Sequence, residues 1–106
     1  MICKKCGQRG KTFYKKRRVC KDCVAIHQRY QRIARKYALS RAAYNNLVAS
    51  QHSTCAICHR GLPLVVDHDH ATGIVRGLLC SPCNLAIGIF EDDVHRLNSA
   101  VRYLRA

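Results

Sequence analysis

Apolar residues at Ile26, Tyr30, Ile33 and Tyr37 recur at i, i+4, i+7 and i+11, the spacing of one helical face. Residues 24–37, "VAIHQRYQRIARKY", are therefore predicted to be a helix. Arg29, Arg32, Arg35 and Lys36 lie beside or opposite that seam, so the helix has an apolar stripe and a basic face. Residues 40–51 predict a second helix, with Ser40 as N-cap and Tyr44, Leu47 and Val48 as a short apolar face. No Pro- or Gly-rich linker separates the two. The pattern then changes. Leu64-Val65-Val66 reads as a strand, Ala71-Thr72-Gly73 as a turn, and residues 74–79, "IVRGLL", as a second strand. Ser81-Pro82 follows at once, an N-cap with Pro in the first turn, and predicts a short helix through Asn84 towards Gly88. A last helix begins at Asp92 or Asp93. Its Val94, Leu97, Val101 and Leu104 at i, i+3, i+7 and i+10 form a seam expected to face the core rather than a partner. No apolar run has the length of a membrane span. The fold class expected from these elements is a small α+β protein.

A chain of 106 residues buries little apolar surface, and proteins of this size often rely on metals or disulfides. All eight cysteines fall in CxxC pairs: Cys3/Cys6, Cys20/Cys23, Cys55/Cys58 and Cys80/Cys83. Four disulfides are one reading. The opening "MICKKCGQ" lacks the apolar stretch of a secretory signal, so the expectation is a soluble protein of a reducing cytoplasm, with free thiols serving as zinc ligands. Zn²⁺ takes four thiolates tetrahedrally, and a CxxC turn offers two at once. Sequential pairing, which closes the shorter loops, predicts two zinc ions, one on Cys3, Cys6, Cys20 and Cys23, the other on Cys55, Cys58, Cys80 and Cys83. Phe13 and Tyr14 are expected to cover the first.

Charge divides the chain. The formal net charge is +13, and residues 1–41 hold 14 of the 19 Lys and Arg with a single acid, Asp22; the remainder is neutral. A basic segment joined to a neutral one points to a polyanion-binding arm beside a working module, and nucleic acid is the natural polyanion. A solvated surface kept for solubility is the plainer alternative. For the helix at 24–37, a basic membrane-surface role is disfavoured because two of its four seam residues are Tyr.

Residues 64–84, "LVVDHDHATGIVRGLLCSPCN", concentrate the chemistry. Hydrolysis of a phosphodiester needs a cation to neutralise the phosphate and a base to deprotonate water. Asp67 offers a carboxylate at a strand end, and Asn84 an amide oxygen at a helix start, both suited to a hard cation. His68 is suited to act as base near neutral pH. On a regular strand His68 would face away from Asp67, so a bend or bulge is required. The alternative is that Asp67, His68, Asp69 and His70 are solvated turn residues or ligands of a third zinc.

"VDHDHATGIVRGLLCSPCNLAIG" at 66–88, preceded by "CAIC" at 55–58, resembles the signature of the phage recombination endonuclease VII family, within the HNH or ββα-metal nucleases. The resemblance implies a ββα-metal core with flanking helices at 37–106, stabilised by the zinc of Cys55, Cys58, Cys80 and Cys83. Residues 1–36 would be a basic zinc knuckle and helix that binds DNA. It further implies that Asp67 and Asn84 hold a catalytic Mg²⁺ or Mn²⁺, that His68 is the general base, and that His70 holds or polarises the scissile phosphate. Lys15, Lys16, Arg17, Arg18, Arg29, Arg32, Arg35 and Lys36, with Arg76, are the bases assigned to DNA. The junction-resolving member carries a Glu where this sequence has Ile87, so DNA nicking is expected rather than junction resolution. The implied setting is the host-cell cytoplasm, without a membrane, with DNA and phage packaging or recombination proteins as partners. A zinc-dependent DNA- or RNA-binding protein without catalysis is the alternative, and a protein-interaction module that uses zinc only for folding is another.

Overall fold

The computed structural model describes residues 1–61 and 63–106, which form two compact units, Met1–Arg41 and Ala42–Ala106. In the first, isolated β-bridges Ile2↔Arg9 and Phe13↔Cys20 bring the cysteine pairs together, and Cys3 and Cys20 are fully buried. Helix α1, Lys21–Tyr37, has Cys20 as its N-cap and starts three residues before the predicted start. Asp22 in its first turn and Arg35 and Lys36 in its last complement the helix dipole. It ends at Ala38 in the left-handed region. None of its residues is buried: Tyr30, Ile33 and Tyr37 are half-covered and Ile26 is exposed. Phe13 is half-buried, but Tyr14 is exposed with the Lys21 ammonium 5.0 Å from its ring centroid.

The second unit contains most of helix α2, Arg41–Ser50, with Tyr44 buried, and then the antiparallel strands β1, Leu64–His68, and β2, Val75–Cys80. Helix α3, Ser81–Ile89, follows β2 without a connecting residue and packs on both strands. Its N-cap is Cys80 rather than the expected Ser81, with Pro82 in the first turn. Helix α4, Val94–Arg105, is capped by Asp93, whose Oδ1 accepts from the backbone N–H of His95 (2.9 Å) and Arg96 (3.2 Å). The core expectation for its seam fails. Val94, Val101 and Leu104 are exposed and Leu97 is only half-covered. Among the described residues no helix is long and apolar enough to cross a membrane.

Core and cysteine cluster coincide here. Cys55, Leu79 and Cys80 are buried together, with Cys58, Leu64, Cys83 and Ile87 packed around them. Residues 77–80 of β2 are all buried, so both faces of that strand are covered, because successive side chains alternate. Gln51 clamps this strand from the end of α2. Its Nε2 donates to the carbonyls of Leu78 (2.8 Å) and Thr54 (2.9 Å), and the Leu78 N–H donates to its Oε1 (3.0 Å). The amide thus stands in for a neighbouring strand. Gly77 permits the approach, since a Cβ there would lie 3.1 Å from Gln51 Oε1. Gln51→Ala strands the buried Leu78 N–H and is expected to cost about 1–3 kcal/mol, read as a lower urea midpoint at unchanged slope.

Candidate functional site

The candidate site is built at the turn end of the β1–β2 hairpin. Pairing runs Leu64↔Cys80, Val65↔Leu79, Val66↔Leu78 and Asp67↔Gly77, then jumps to His68↔Val75. Arg76 is the extra residue of a β-bulge that lies on β2, opposite Asp67 and His68, whereas the expected break in regularity was in β1 itself. The bulge turns the Arg76 guanidinium onto Asp67. Nε donates to Asp67 Oδ2 (2.7 Å) and Nη2 to Oδ1 (2.9 Å), a bidentate charge-assisted pair. Asp67 is 6% exposed, so this buried carboxylate is fully partnered. The pair pushes the Arg76 guanidinium, chiefly through its bond to Asp67, still further above its ordinary pKa.

The loop from β1 to β2 is shaped by Asp69. Its Oδ1 accepts from the N–H groups of Ala71 (2.8 Å) and Thr72 (3.1 Å), its backbone N–H donates to Ile74 O (2.8 Å), and Gly73 takes φ +76°. The N–H of Thr72, then that of Ala71, holds the Asp69 carboxyl below its usual range. Asp69 is thus a turn former. The turn sets His70 beside His68, with ring centroids 4.8 Å apart and planes tilted by 38°. His68 is half-buried and His70 exposed.

Asp92 completes the cluster and was anticipated from sequence only as a helix cap. Its Oδ2 lies 3.3 Å from Arg76 Nη1 and 3.6 Å from His70 Nδ1. Its Oδ1 is buried without a hydrogen-bond partner, the one such side-chain atom among the described residues. Its backbone N–H donates to Ile87 O (2.9 Å), so the turn that closes α3 fixes its place. His70, Gly88, Glu91 and Asp92 line a cavity of about 300 Å³. Asn84 stands half-buried in the first turn of α3. Arg76, expected among the DNA-contacting bases, is committed here to two carboxylates. Nothing in the local pattern "EDDV" marks Asp92 as a site residue, because its partners are 16 and 22 positions away.

Both cysteine quartets gather as expected. In each, all four sulfurs lie within 4.8 Å of one another. Cys3–Cys23 sulfurs are 3.8 Å apart, Cys6–Cys20 3.9 Å and Cys58–Cys80 3.7 Å. These are far beyond the ~2.05 Å of a disulfide. They match the edge of a tetrahedron with metal–sulfur bonds of about 2.3 Å, roughly 3.8 Å, so both quartets fit structural zinc. The N–H groups of Cys20, first, and Cys6 bring the Cys3 thiol down to about 6. Burial works against Cys55, but N–H groups led by that of Cys58 outweigh it and also bring it to about 6.

Among the bases assigned to DNA, Lys15, Lys16, Arg17 and Arg18 are exposed in the loop before Cys20. Arg29, Arg32, Arg35 and Lys36 are exposed on α1. The lone acid of residues 1–41, Asp22, is taken up by Lys11 at 2.9 Å, which leaves the surface of this unit positive.

The recombination endonuclease VII family profile matches residues 30–106. The chain belongs to that family. Two relatives are the Gene 59 protein of Mycobacterium phage D29, 35% identical over 93% of this chain and 80% of the relative, and that of Mycobacterium phage L5, 34% identical over 92% and 80%. Among solved structures, the chain is similar to the ββα-Me type II restriction endonuclease Hpy99I, with a TM-score of 0.47 and 26% identity, covering 84% of this chain and 50% of that one. The chain thus spans half the length of that enzyme. As a member of a nuclease family, it carries the expected ββα order, two strands running directly into a helix, on a cysteine cluster.

Proposed function

We propose that this protein is a metal-dependent HNH-type endonuclease that nicks DNA. The observation that supports the reading is the bulged hairpin end, where the His68 and His70 rings stand side by side next to the Asp67–Arg76 pair, with α3, whose first turn carries Asn84, packed on both strands. The oxygens of Asp67 and Asn84 fit a hard cation. Mg²⁺ or Mn²⁺ bound there would neutralise charge on the phosphate and the leaving oxygen. His68 takes the proton from the attacking water. His70, exposed with its Nδ1 towards Asp92, presents Nε2 to a phosphate oxygen. The Arg76 guanidinium adds positive charge close to the same place. Lys15, Lys16, Arg17, Arg18, Arg29, Arg32, Arg35 and Lys36 supply phosphate contacts, with the steep salt dependence such contacts bring. The zinc quartets hold the frame and take no part in chemistry. The reading places the protein in the host-cell cytoplasm.

The test is nicking of supercoiled plasmid by zinc-loaded protein with Mg²⁺ or Mn²⁺ added or withheld. The expected result is open circles only with the added ion, at constant zinc content. Tight plasmid binding without nicking under every ion would instead make this a DNA-binding protein. A chelator alone is a poorer control, because it also attacks the structural sites.

A further inference from the structure

We propose that Asp92 is a positioning residue that receives the Arg76 guanidinium when a divalent ion takes Asp67. The inference rests on the nuclease reading and deepens it. Both oxygens of Asp67 are engaged by Arg76, at 2.7 and 2.9 Å. A cation on either of them would sit directly beside the guanidinium, and repulsion between the two positive charges drives the guanidinium away from Asp67. Withdrawn without a new partner, it would leave its own charge poorly compensated next to the incoming ion, which raises the cost of metal binding. Asp92 removes that cost. One of its oxygens is already 3.3 Å from Arg76 Nη1, and the other is buried with no hydrogen-bond partner among the described residues. A short pivot converts the present contact into a second bidentate pair. Arg76 then stays beside the cleft, close enough to the phosphate to help hold it, and no longer competes for Asp67. The same carboxylate faces His70 Nδ1 at 3.6 Å, so Arg76 and His70 are aligned from one point. That point is set by the backbone at the end of α3, not by the hairpin.

The test uses the full chain with both quartets loaded with zinc, titrated with Mn²⁺ while the free ion is followed by electron paramagnetic resonance. Asp92 has φ +57°, a conformation Asn tolerates well, so Asp92→Asn is expected to fold, and Asp92→Gly serves in its place if it does not. Asp92→Asn should weaken Mn²⁺ binding by about 10–100-fold, the usual cost of losing a supporting partner behind a ligand. Arg76→Gln should bind Mn²⁺ at least as tightly as wild type, and adding Asp92→Asn to it should change little. If Arg76→Gln does not fold, Arg76→Lys, which cannot form the bidentate pair, replaces it. Equal weakening by Asp92→Asn in both backgrounds would make Asp92 a direct ligand or a structural prop and overturn the inference. Unchanged affinity in Asp92→Asn would overturn it as well. Wild-type protein that binds no Mn²⁺ overturns the nuclease reading together with it, whereas failure of the Asp92 variants alone leaves that reading standing.

Discussion

His68→Ala is expected to slow nicking by about 10²–10⁴-fold while zinc content, folding and DNA affinity stay at wild-type values, since a general base adds rate without being needed for phosphate contact. His68 closes β1 on the far side of the bulge from Asp67, half-buried, with the His70 ring 4.8 Å away. Truncation there removes an imidazole at the rim of the hairpin and no part of the core formed by Cys55, Leu79 and Cys80. Asp67→Ala should also stop cleavage, by a different route. It removes a carboxylate that would hold the divalent ion and frees Arg76 from its strongest partner, so DNA binding by this variant should be undiminished or tighter, with Mn²⁺ binding lost. The two variants separate base from ligand. His68→Ala keeps Mn²⁺ affinity and loses rate; Asp67→Ala loses both. A His68→Ala protein that nicks at the wild-type rate would reduce "DHDH" to a turn sequence and end the proposed mechanism.

What could be read from sequence was what is local. The CxxC pairs, the hairpin turn at Ala71-Thr72-Gly73 and the Pro82 helix start each lie within a few residues, where spacing and turn chemistry decide the outcome. A break in regularity near Asp67 was legible as well, because Asp67 and His68 cannot share a face of a regular strand. That Arg76 on the opposite strand would be the inserted residue was not. Its pairing with Asp67 depends on which strand yields, and its reach to Asp92 depends on the turn after α3. The role of Gln51 is not legible for the same reason, since an amide that imitates a strand edge has no local signature. The α4 seam shows the limit of periodicity. Val94, Leu97, Val101 and Leu104 do line one face, yet three of them are exposed. Spacing states that a helix has an apolar side, and says nothing of what covers it.

Zinc should prove the larger determinant of folding. Elemental analysis at neutral pH is expected to give two zinc ions per chain, and Cys80→Ser is expected to unfold residues 42–106. Cys55 and Cys80 are themselves the buried centre of that unit, together with Leu79. Apparent binding free energies of structural zinc, about 10–16 kcal/mol, match or exceed the roughly 5–15 kcal/mol stability of a whole domain, so a unit whose core is its metal cluster should not survive without the ion. The cysteines also set the direction with pH. Cys3 and Cys55, brought down to about 6, are thiolates at neutral pH. Cys23 is pushed up to about 12, by burial first, and Cys83 to about 12, by its bond with Cys80 first. Both therefore meet the ion as thiols, and each quartet must release at least one proton on loading. Affinity accordingly rises with pH. The stability contributed by the depressed thiols is full above their ordinary value near 9 and is lost as pH falls through about 6. Zinc release and loss of the far-UV circular dichroism signal of the second unit should therefore coincide on acidification below about pH 6. A chain that keeps its signal after the metal has left would show that residues 42–106 fold on packing alone, and that zinc serves some purpose other than holding the hairpin to α3.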